Sequence, residues 1–461
     1  MKKNTVEKLL RWMFIILQGA AFFAVWEKFI NHELSKAYLY KGSAFMVAFF
    51  MITVYFVYKS LDGLRIGVNN HYALFVSHFI SGIICSVMMT LILIIAFRGF
   101  FLKFMFRIFL LVLGASYIVS AIWIFAGKLI LSKNRGRKCI LFYTNDDPEY
   151  LKNKFEQRKD QFTVVKSVKV ENIDDVEKEI TDDVDSAIIA YMPSNIRNEM
   201  LKICFRKDKG VVLIPKVSDV LVRGASELNV LDGPLFVVES ASAHNIQPVV
   251  KRLFDVAFAA LGLIITSPVF LATALAIKLE DHGPVFYKQA RCTLGGREFD
   301  IYKFRSMIVD AEKNNKAVLA SKNDSRITKV GNFIRATRID ELPQLINILK
   351  GDMSVVGPRP ERKVLIDKYS DIIESFPYRM KVKAGLTGYA QLMGKYNSNP
   401  YNKLLFDLMY VQKFSLLLDI RLILLTLKIV FMKESTEGVD EEFEAFVEAF
   451  NRTKENNSKE G

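Results

Sequence analysis

Several patterns that commonly reveal a function are scarce in this chain of 461 residues. Its four cysteines include no C-x-x-C pair, so the sequence indicates neither a disulfide framework nor a zinc site. The five histidines show no metal-ligand spacing. No nucleic-acid recognition motif is present, and nucleic acid is therefore not expected as a partner.

Apolar residues and positive charge are abundant instead. The hydrophobic share is 51%, phenylalanine alone occurs 36 times, and the formal net charge is +14. This apolar content indicates membrane segments rather than an enlarged core. The basic balance is typical of cytoplasmic loops, contacts with anionic headgroups or anionic substrates. The length predicts about three domains.

Four long apolar stretches fill the first third of the chain, and each is near the ~20 residues that a bilayer requires. They are Leu9–Phe29, Ala44–Tyr58, Tyr72–Phe97 and Phe104–Leu131. Lys and Arg cluster before the first stretch and after the fourth, which places both ends in the cytosol, although Arg98, Lys103 and Arg107 oppose this orientation. We therefore expect a four-helix transmembrane domain over residues 1–135.

Residues 136–247 have the pattern of a small α/β domain. Four short β-branched runs alternate with helical segments and predict a parallel sheet: Cys139–Tyr143, Phe162–Val168, Ser186–Tyr191 and Gly210–Pro215. A dinucleotide site requires a glycine-rich turn after the first strand, but the turn here is the acidic "TNDDPEY". We expect a degenerate Rossmann-like domain that binds no nucleotide.

A further apolar segment, residues 251–279, contains the uncharged run Val256–Ile277 with Ser267 and Pro268 at its centre. Proline removes a helical hydrogen bond and kinks a helix, and the serine can satisfy part of the freed backbone. The segment is either a kinked span or a re-entrant helix that returns to the same face. The re-entrant form is favoured, because the flanking regions both have cytosolic character.

Residues 288–307 predict a strand, a Gly-Gly turn and a second strand. This hairpin carries basic residues, including Lys303 and Arg305, interleaved with aromatic residues. Arginine makes bidentate contacts to phosphate, and lysine supplies a point charge. The alternation suits a basic surface at the membrane boundary.

Two adjacent acids, Asp340 and Glu341, stand in a strongly basic neighbourhood. Asp340 is a suitable N-cap for a helix in which Pro343 fits the first turn and Gly351 fits the stop. Capping does not explain Glu341. Because neighbours on a helix point about 100° apart, the two carboxylates are expected to take separate roles. The alternatives are local charge balance and a reactive carboxylate acting on a phosphate.

A helix N-terminus lowers the pKa of a carboxyl group and attracts phosphate, so an ionised Asp340 could attack phosphorus if cations neutralise the repulsion. Arg359 lies in the rigid sequence "GPRP", and Lys383 lies in the loop "KAGLTGYAQ". The basic residues expected around that phosphate are Lys303, Arg305, Arg335, Arg338, Arg359 and Lys383.

The C-terminal part returns to apolar sequence. Phe414–Phe431 predicts either a helix in the membrane interface or a core helix. Residues 438–461 are expected to form a short acidic helix and a disordered tail.

The blocks "GPVFYKQ", "FDIYKFRSM", "RIDELPQLINILKGDMSVVGPRPE" and "VKAGLTGYAQ" resemble the bacterial sugar transferase family, the polyprenyl-phosphate sugar-1-phosphate transferases. The resemblance covers a catalytic domain over residues 248–437, and the first half of the chain resembles the family's large form in architecture. It implies a catalytic and metal-binding dyad at Asp340 and Glu341, an arginine at Arg335, and a helix break at Ser267-Pro268. The fold class implied is a membrane protein of α and α/β type, with a monotopic catalytic domain and amphipathic interfacial helices.

The same resemblance implies a reaction. A sugar 1-phosphate would pass from a UDP-sugar to undecaprenyl phosphate through a covalent intermediate, with Mg²⁺ or alternatively Mn²⁺ as cofactor. This would be the first membrane step of exopolysaccharide, capsule or O-antigen synthesis, on the cytosolic face of the cell membrane. The bilayer is a further expected partner, and a homodimer is one arrangement consistent with the resemblance. The alternatives are a membrane glycosyltransferase that releases UDP and a non-enzymatic scaffold.

Overall fold

The structure is a computed structural model that describes residues 3–31, 40–97, 102–132, 136–144, 148–228, 230, 233–238, 247–309, 324, 326–394 and 399–430. The chain forms two compact units, Met1–Ile214 and Pro215–Gly461. This division falls before the expected domain boundary at residue 247. The acidic helix and tail expected at residues 438–461 lie outside the described residues.

The first unit begins with four long helices: α1 (Lys3–Val25), α2 (Tyr40–Ser60), α3 (His71–Phe97) and α4 (Leu102–Ser132). A single π-helical turn, Trp26–Ile30, extends α1. All four predicted apolar stretches are thus helical, and each helix is long and apolar enough to cross a membrane. Their inner faces carry a buried aromatic cluster in which the Phe14 ring packs against Tyr58 and Trp123. Their outer faces leave residues such as Ile95 and Phe125 more than 70% exposed, as contact with lipid requires.

The rest of the first unit is a four-stranded sheet with flanking helices. Its strands are β1 (Arg137–Tyr143), β2 (Phe162–Lys169), β3 (Ser186–Ile189) and β4 (Gly210–Leu213); its helices are α5 (Pro148–Glu156), α6 (Ile173–Glu179) and α7 (Ser194–Arg206). The strand order is β2-β1-β3-β4, and all three pairings are parallel. The predicted strands and their parallel pairing are therefore confirmed. Residues 145–147 of the acidic turn lie outside the described part of the chain.

The second unit begins with α8 (Val217–Arg223) and a small hairpin of β5 (Ser226–Leu228) and β6 (Leu235–Val237). Val220 of α8 is 3% exposed and joins a core cluster that includes Leu404 and Leu408. Because this apolar side chain is buried among residues of the second unit, α8 packs with later elements of that unit.

The apolar segment after the small hairpin forms one helix, α9 (Gln247–Asp281), which continues through Pro268. The Ser267 hydroxyl donates a hydrogen bond of 2.8 Å to the Ile264 carbonyl oxygen. That carbonyl would pair with the N–H of residue 268 in a regular helix, and proline has none. The prediction that the serine satisfies the freed backbone is confirmed.

Both halves of α9 contact other elements of the second unit. Near its start, Lys251 Nζ lies 2.6 Å from Asp419 Oδ2, and Ala259 is fully buried in a core cluster. In the second half, the ring of Phe270 lies 4.7 Å from that of Phe304. At its end, the Glu280 carboxylate accepts hydrogen bonds from two backbone N–H groups at the start of a later helix. The helix is therefore held along its length rather than at one end.

The remaining elements of the second unit surround this helix. They are β7 (Phe286–Cys292), β8 (Glu298–Phe304), α10 (Lys329–Ala336), α11 (Gln344–Lys350), β9 (Ser354–Val356), α12 (Lys363–Ile372), β10 (Gly385–Thr387), α13 (Tyr389–Met393), α14 (Pro400–Gln412) and α15 (Leu416–Val430). β7 and β8 form the predicted antiparallel hairpin, whose turn places Gly295 and Gly296 at φ values of 67° and 80°. β9 and β10 pair in parallel.

Helix α15 combines the two alternatives that the sequence allows. Leu422 and Leu425 are buried in the core, and Asp419 is fully buried against Lys251. The outer face is apolar, because Leu417 is 82% exposed. A charged residue of this helix therefore turns inward, and an apolar side chain faces outward.

Candidate active site

The two adjacent acids lie in a 3₁₀ turn, Ile339–Glu341, directly before α11. Arg338 precedes this turn in the left-handed conformation, with φ of 58°. The expected role of Asp340 as the N-cap is wrong: α11 begins at Gln344, because the tighter 3₁₀ turn occupies the residues before it. Gly351 ends α11 at φ of 93°, as predicted.

Glu341 is held by basic side chains. Lys303 Nζ and Arg359 Nη2 lie 3.0 Å and 3.1 Å from the same oxygen, Oε1 of Glu341. Arg338 Nη1 lies 3.9 Å from the other carboxylate oxygen. Glu341 is 8% exposed, so these charges interact in a partly desolvated environment in which Coulomb forces are strong.

Asp340 has looser contacts. Its Oδ2 atom lies 3.9 Å from Lys303 Nζ, and Arg335 and Arg338 act on it electrostatically. Four of the six predicted basic residues are thus brought around the two acids. They are Lys303, Arg335, Arg338 and Arg359.

The two neighbouring carboxyl groups have opposite electrostatic character. Burial raises the pKa of Asp340, and the cation of Lys303 only partly offsets it. Burial acts in the same direction on Glu341, but Lys303, Arg359 and Arg338 together hold the pKa of that carboxyl well below its usual range. The expectation that a helix N-terminus lowers the pKa of Asp340 is therefore wrong, because desolvation outweighs any such effect.

Arg305 has a different partner from the one expected. Its guanidinium forms a bidentate ion pair with Asp281 at the end of α9, and its Nε atom donates to the Pro284 carbonyl oxygen at 2.6 Å. Arg305 is only 7% exposed. It therefore links the C-terminal end of α9 to the end of strand β8. Its N–H groups point to Asp281 and the Pro284 carbonyl oxygen rather than to Asp340 and Glu341.

Lys383 lies in other surroundings as well. Burial lowers its pKa, the cation of Arg252 acts in the same direction, and the carboxylate of Asp352 acts against them. Arg252 itself caps the end of α11 through the Ile348 and Leu349 carbonyl oxygens. Lys383 belongs to this cluster at the opposite end of α11 from the two acids.

Sequence reasoning missed Asn347, whose side chain is fully buried. Its amide oxygen accepts from the Tyr302 N–H at 2.9 Å, and its amide nitrogen donates to the Asp300 carbonyl oxygen at 2.7 Å. These two bonds join α11 to β8 beside Lys303. The only signal was an amide on the apolar face of a helix, where an unpaired polar group is costly.

The donor set fits a hard divalent cation bound together with a phosphorylated ligand. Mg²⁺ commonly takes one or two protein carboxylates and completes its octahedron with phosphate oxygens and water. Asp340 and Glu341 supply such carboxylates. The described residues include no group of three or more His, Cys, Asp or Glu side chains that could hold a metal ion.

The fold and site together define a membrane protein with two adjacent acids, one buried and one partly buried, beside a group of cations. Residues 246–433 match the family described as bacterial sugar transferase. The chain belongs to this family.

Three relatives illustrate the match. A UDP-glucose:undecaprenyl-phosphate glucose-1-phosphate transferase of Caulobacter vibrioides is 42% identical over 181 residues, which cover 38% of this chain and 67% of the relative. An Escherichia coli protein of the same name is 40% identical over 224 residues, or 47% of each chain. A UDP-N-acetylgalactosamine-undecaprenyl-phosphate N-acetylgalactosaminephosphotransferase of Aeromonas hydrophila is 42% identical over 184 residues, covering 39% of this chain and 43% of the relative. The chain spans about half the length of many of the curated relatives it matches.

Proposed function

We propose that this protein transfers a sugar 1-phosphate from a UDP-sugar to undecaprenyl phosphate, giving undecaprenyl-diphosphate-sugar and UMP. The main observation behind this proposal is the Asp340–Glu341 pair. Asp340 has only a loose ion pair, whereas the charge of Glu341 is neutralised by Lys303 and Arg359. The names of the relatives support the substrate class, and they suggest glucose and N-acetylgalactosamine as the first sugars to test. The product would begin an exopolysaccharide, capsule or O-antigen repeat unit.

The chemistry proceeds by two displacements at one phosphorus atom. A carboxylate oxygen of Asp340 attacks the phosphorus next to the sugar. The bond from this phosphorus to the bridging oxygen breaks, and UMP leaves with the electron pair. An oxygen of undecaprenyl phosphate then attacks the phosphosugar–Asp340 intermediate and restores the carboxylate.

Basic residues would stabilise the charge that develops in both displacements. Lys303 lies between the two acids, and Arg359 and Arg338 approach from the Glu341 side. Asp340 and Glu341 would hold Mg²⁺, or alternatively Mn²⁺, which supplies neutralisation of the diphosphate. Glu341 keeps Lys303 and Arg359 in place as the charge on the phosphate changes.

The geometry of α9 supports a re-entrant placement at the cytosolic face of the cell membrane. Helix α9 contacts other elements of the second unit over two stretches, Lys251 to Leu263 and Phe270 to Asp281. Ser267 and Pro268 lie between these stretches. Only 11% of the most apolar stretch of α9 is buried by protein, so in this arrangement lipid would cover its exposed face. The apolar outer face of α15 would lie in the same interface.

One assay tests this function. The purified full-length chain is incubated with Mg²⁺, a polyprenyl phosphate and each of a panel of UDP-sugars, and the released nucleotide is identified. We expect UMP together with a lipid diphosphate sugar. Release of UDP would indicate a glycosyltransferase, and no nucleotide from any sugar would favour a scaffold.

A further inference from the structure

The backbone at Arg359 is held by a side chain, that of Arg379, rather than by other backbone groups alone. Arg359 lies between Pro358 and Pro360, so neither neighbour provides an N–H group, and a residue before proline is restricted to extended conformations. The Pro358 carbonyl oxygen accepts from the Gly385 N–H at 2.9 Å. The Arg359 carbonyl oxygen accepts instead from a side chain, Nη2 of Arg379, at 3.1 Å.

Arg379 is a buried residue whose own position is fixed by charge. It is 3% exposed, and its Nη2 atom lies 2.7 Å from Oδ2 of Asp407, which is 1% exposed. Its Nη1 atom lies 3.9 Å from Oε1 of Glu361, two residues after Arg359. The guanidinium also lies 5.1 Å from the ring of Phe376. Through one planar guanidinium group, Arg379 thus contacts the Arg359 carbonyl oxygen and two carboxylates, and the ammonium group of a lysine cannot reproduce this arrangement.

A chain of contacts therefore leads from this buried pair to the candidate active site. Asp407 binds Arg379, Arg379 binds the Arg359 carbonyl oxygen, and the Arg359 side chain binds Oε1 of Glu341. The Arg359 side chain is 40% exposed, so burial alone does not fix its direction. Its backbone is held through the carbonyl oxygen that accepts from Arg379.

We propose that Arg379, held by Asp407, is a positioning residue that aims the Arg359 guanidinium at Glu341. This inference rests on the proposed function, because its effect on rate is exerted through the dyad. Arg379 would act through its hydrogen bond to the Arg359 carbonyl oxygen. A small misplacement of a charge-stabilising group can reduce a rate by about 100-fold.

The test is a double-mutant cycle in the full-length chain. Arg379→Lys keeps the positive charge that faces Asp407 but loses the planar guanidinium group. Arg359→Ala removes the guanidinium group that Arg379 is proposed to position. We expect Arg379→Lys to lower kcat by about 10- to 100-fold with little change in KM for the UDP-sugar. In the Arg359→Ala background the same change should lower kcat by less than about 3-fold. Equal effects in both backgrounds, or no effect in either, overturn the inference.

Lys403→Gln is the matched control. Lys403 is a neighbour of Asp407 and Glu361 in the same charged network, and its side chain makes no hydrogen bond to the Arg359 carbonyl oxygen within the described residues. Its activity should stay within about 3-fold of that of the wild-type chain. A loss as large as that of Arg379→Lys would assign the effect to the network's charge instead.

The same cycle is also read in the thermal unfolding midpoint, which does not depend on turnover. If Arg379 holds Arg359 on Glu341, Arg359→Ala lowers the midpoint less in the Arg379→Lys background than in the wild-type chain. Equal shifts contradict the inference. A wild-type chain that is inactive with every UDP-sugar would instead reject the proposed function, and the cycle in unfolding midpoints would still decide the inference.

Discussion

Lys303 and Glu341 form an ion pair of 3.0 Å between Nζ and Oε1, and the same ammonium group lies 3.9 Å from Asp340. Lys303 thus pairs more closely with Glu341 than with Asp340. Together with Arg359 and Arg338 it lowers the pKa of Glu341, whereas burial of Asp340 outweighs the effect of Lys303 and raises the pKa of that carboxyl group. This difference gives the two acids separate chemical roles and leads to predictions that distinguish them.

The two acids should affect stability with opposite signs. A carboxyl whose folded pKa is raised contributes stability below its unfolded pKa, and this contribution is lost as the pH rises through the folded value. At pH 8, Asp340→Asn should therefore leave the unfolding midpoint unchanged or raise it.

The depressed pKa of Glu341 contributes stability above its unfolded value of about 4.3, and this stability is lost as the pH falls. At pH 8, Glu341→Gln should lower the midpoint. Shifts of the same sign in both variants would contradict this assignment.

Activity should respond differently from stability. Asp340→Asn should lower kcat by about three orders of magnitude or more, because an amide cannot attack phosphorus. Glu341→Gln should also be severe, but it leaves the nucleophile in place. Asp352→Asn is the control, because this acid pairs with Arg297 at 3.0 Å and lies outside the dyad.

A covalent intermediate should be observable in the absence of the lipid acceptor. The wild-type chain with a UDP-sugar and Mg²⁺ should release at most about one UMP per enzyme and gain a sugar-phosphate mass. The adduct should map to the peptide that holds Asp340, vanish on addition of undecaprenyl phosphate, and be absent in Asp340→Asn. An adduct on another residue would falsify the proposed nucleophile.

Lys303 should control the acidic side of the pH–rate profile. It lowers the pKa of both acids, so Lys303→Met should raise both pKa values and move the acid limb to higher pH. Lys303→Arg should move it less because the charge is kept. Lys350→Met is the control: Lys350 binds the Tyr302 hydroxyl at 2.7 Å, and its loss should leave the acid limb unchanged. If the acid limb of the pH–rate profile does not move in Lys303→Met, Lys303 is not part of the active site.

The re-entrant placement of α9 makes a prediction about topology. Cysteines introduced at Lys202 and Lys363, both well exposed, should react with an impermeant reagent only after the cells are permeabilised. Lys41→Cys, at the start of α2, should be labelled in intact cells under the four-span topology. The four native cysteines are buried and should react slowly. Labelling of Lys363→Cys but not Lys202→Cys from outside would make α9 a true span.

The first unit should be dispensable for the chemistry. A chain that begins at Pro215 should keep transferase activity in detergent, because the dyad and its cations all belong to the second unit. A chain that begins at Asn245 should be less stable, because it lacks Val220, and burial of a valine side chain contributes about 1.5–3 kcal/mol. Thermal unfolding of the two chains compares them directly. A folded but inactive chain from Pro215 would show that the first unit takes part in catalysis.

Local pattern was enough to predict most elements of the fold. The four apolar helices follow from run length, and the strands β1 to β4 follow from short β-branched runs between helical segments. The Gly295-Gly296 turn and the stop at Gly351 follow from backbone freedom that glycine alone supplies cheaply. Ser267 could be matched to the carbonyl freed by Pro268 because the two residues are neighbours in the same helix. Each of these inferences depends on residues within a few positions of one another.

Tertiary structure alone decided how the basic residues are distributed. Sequence placed Arg305 and Lys383 with the dyad because both looked suited to phosphate, but Arg305 pairs with Asp281 and Lys383 lies beside Arg252. The pKa of Asp340 could not be predicted, because desolvation depends on what the folded chain packs around a carboxyl group. The Arg379–Asp407 pair was invisible for the same reason: a buried ion pair joins residues that no local period connects. The sequence by itself thus determined the elements and the reactive residue types, and packing determined which charges meet.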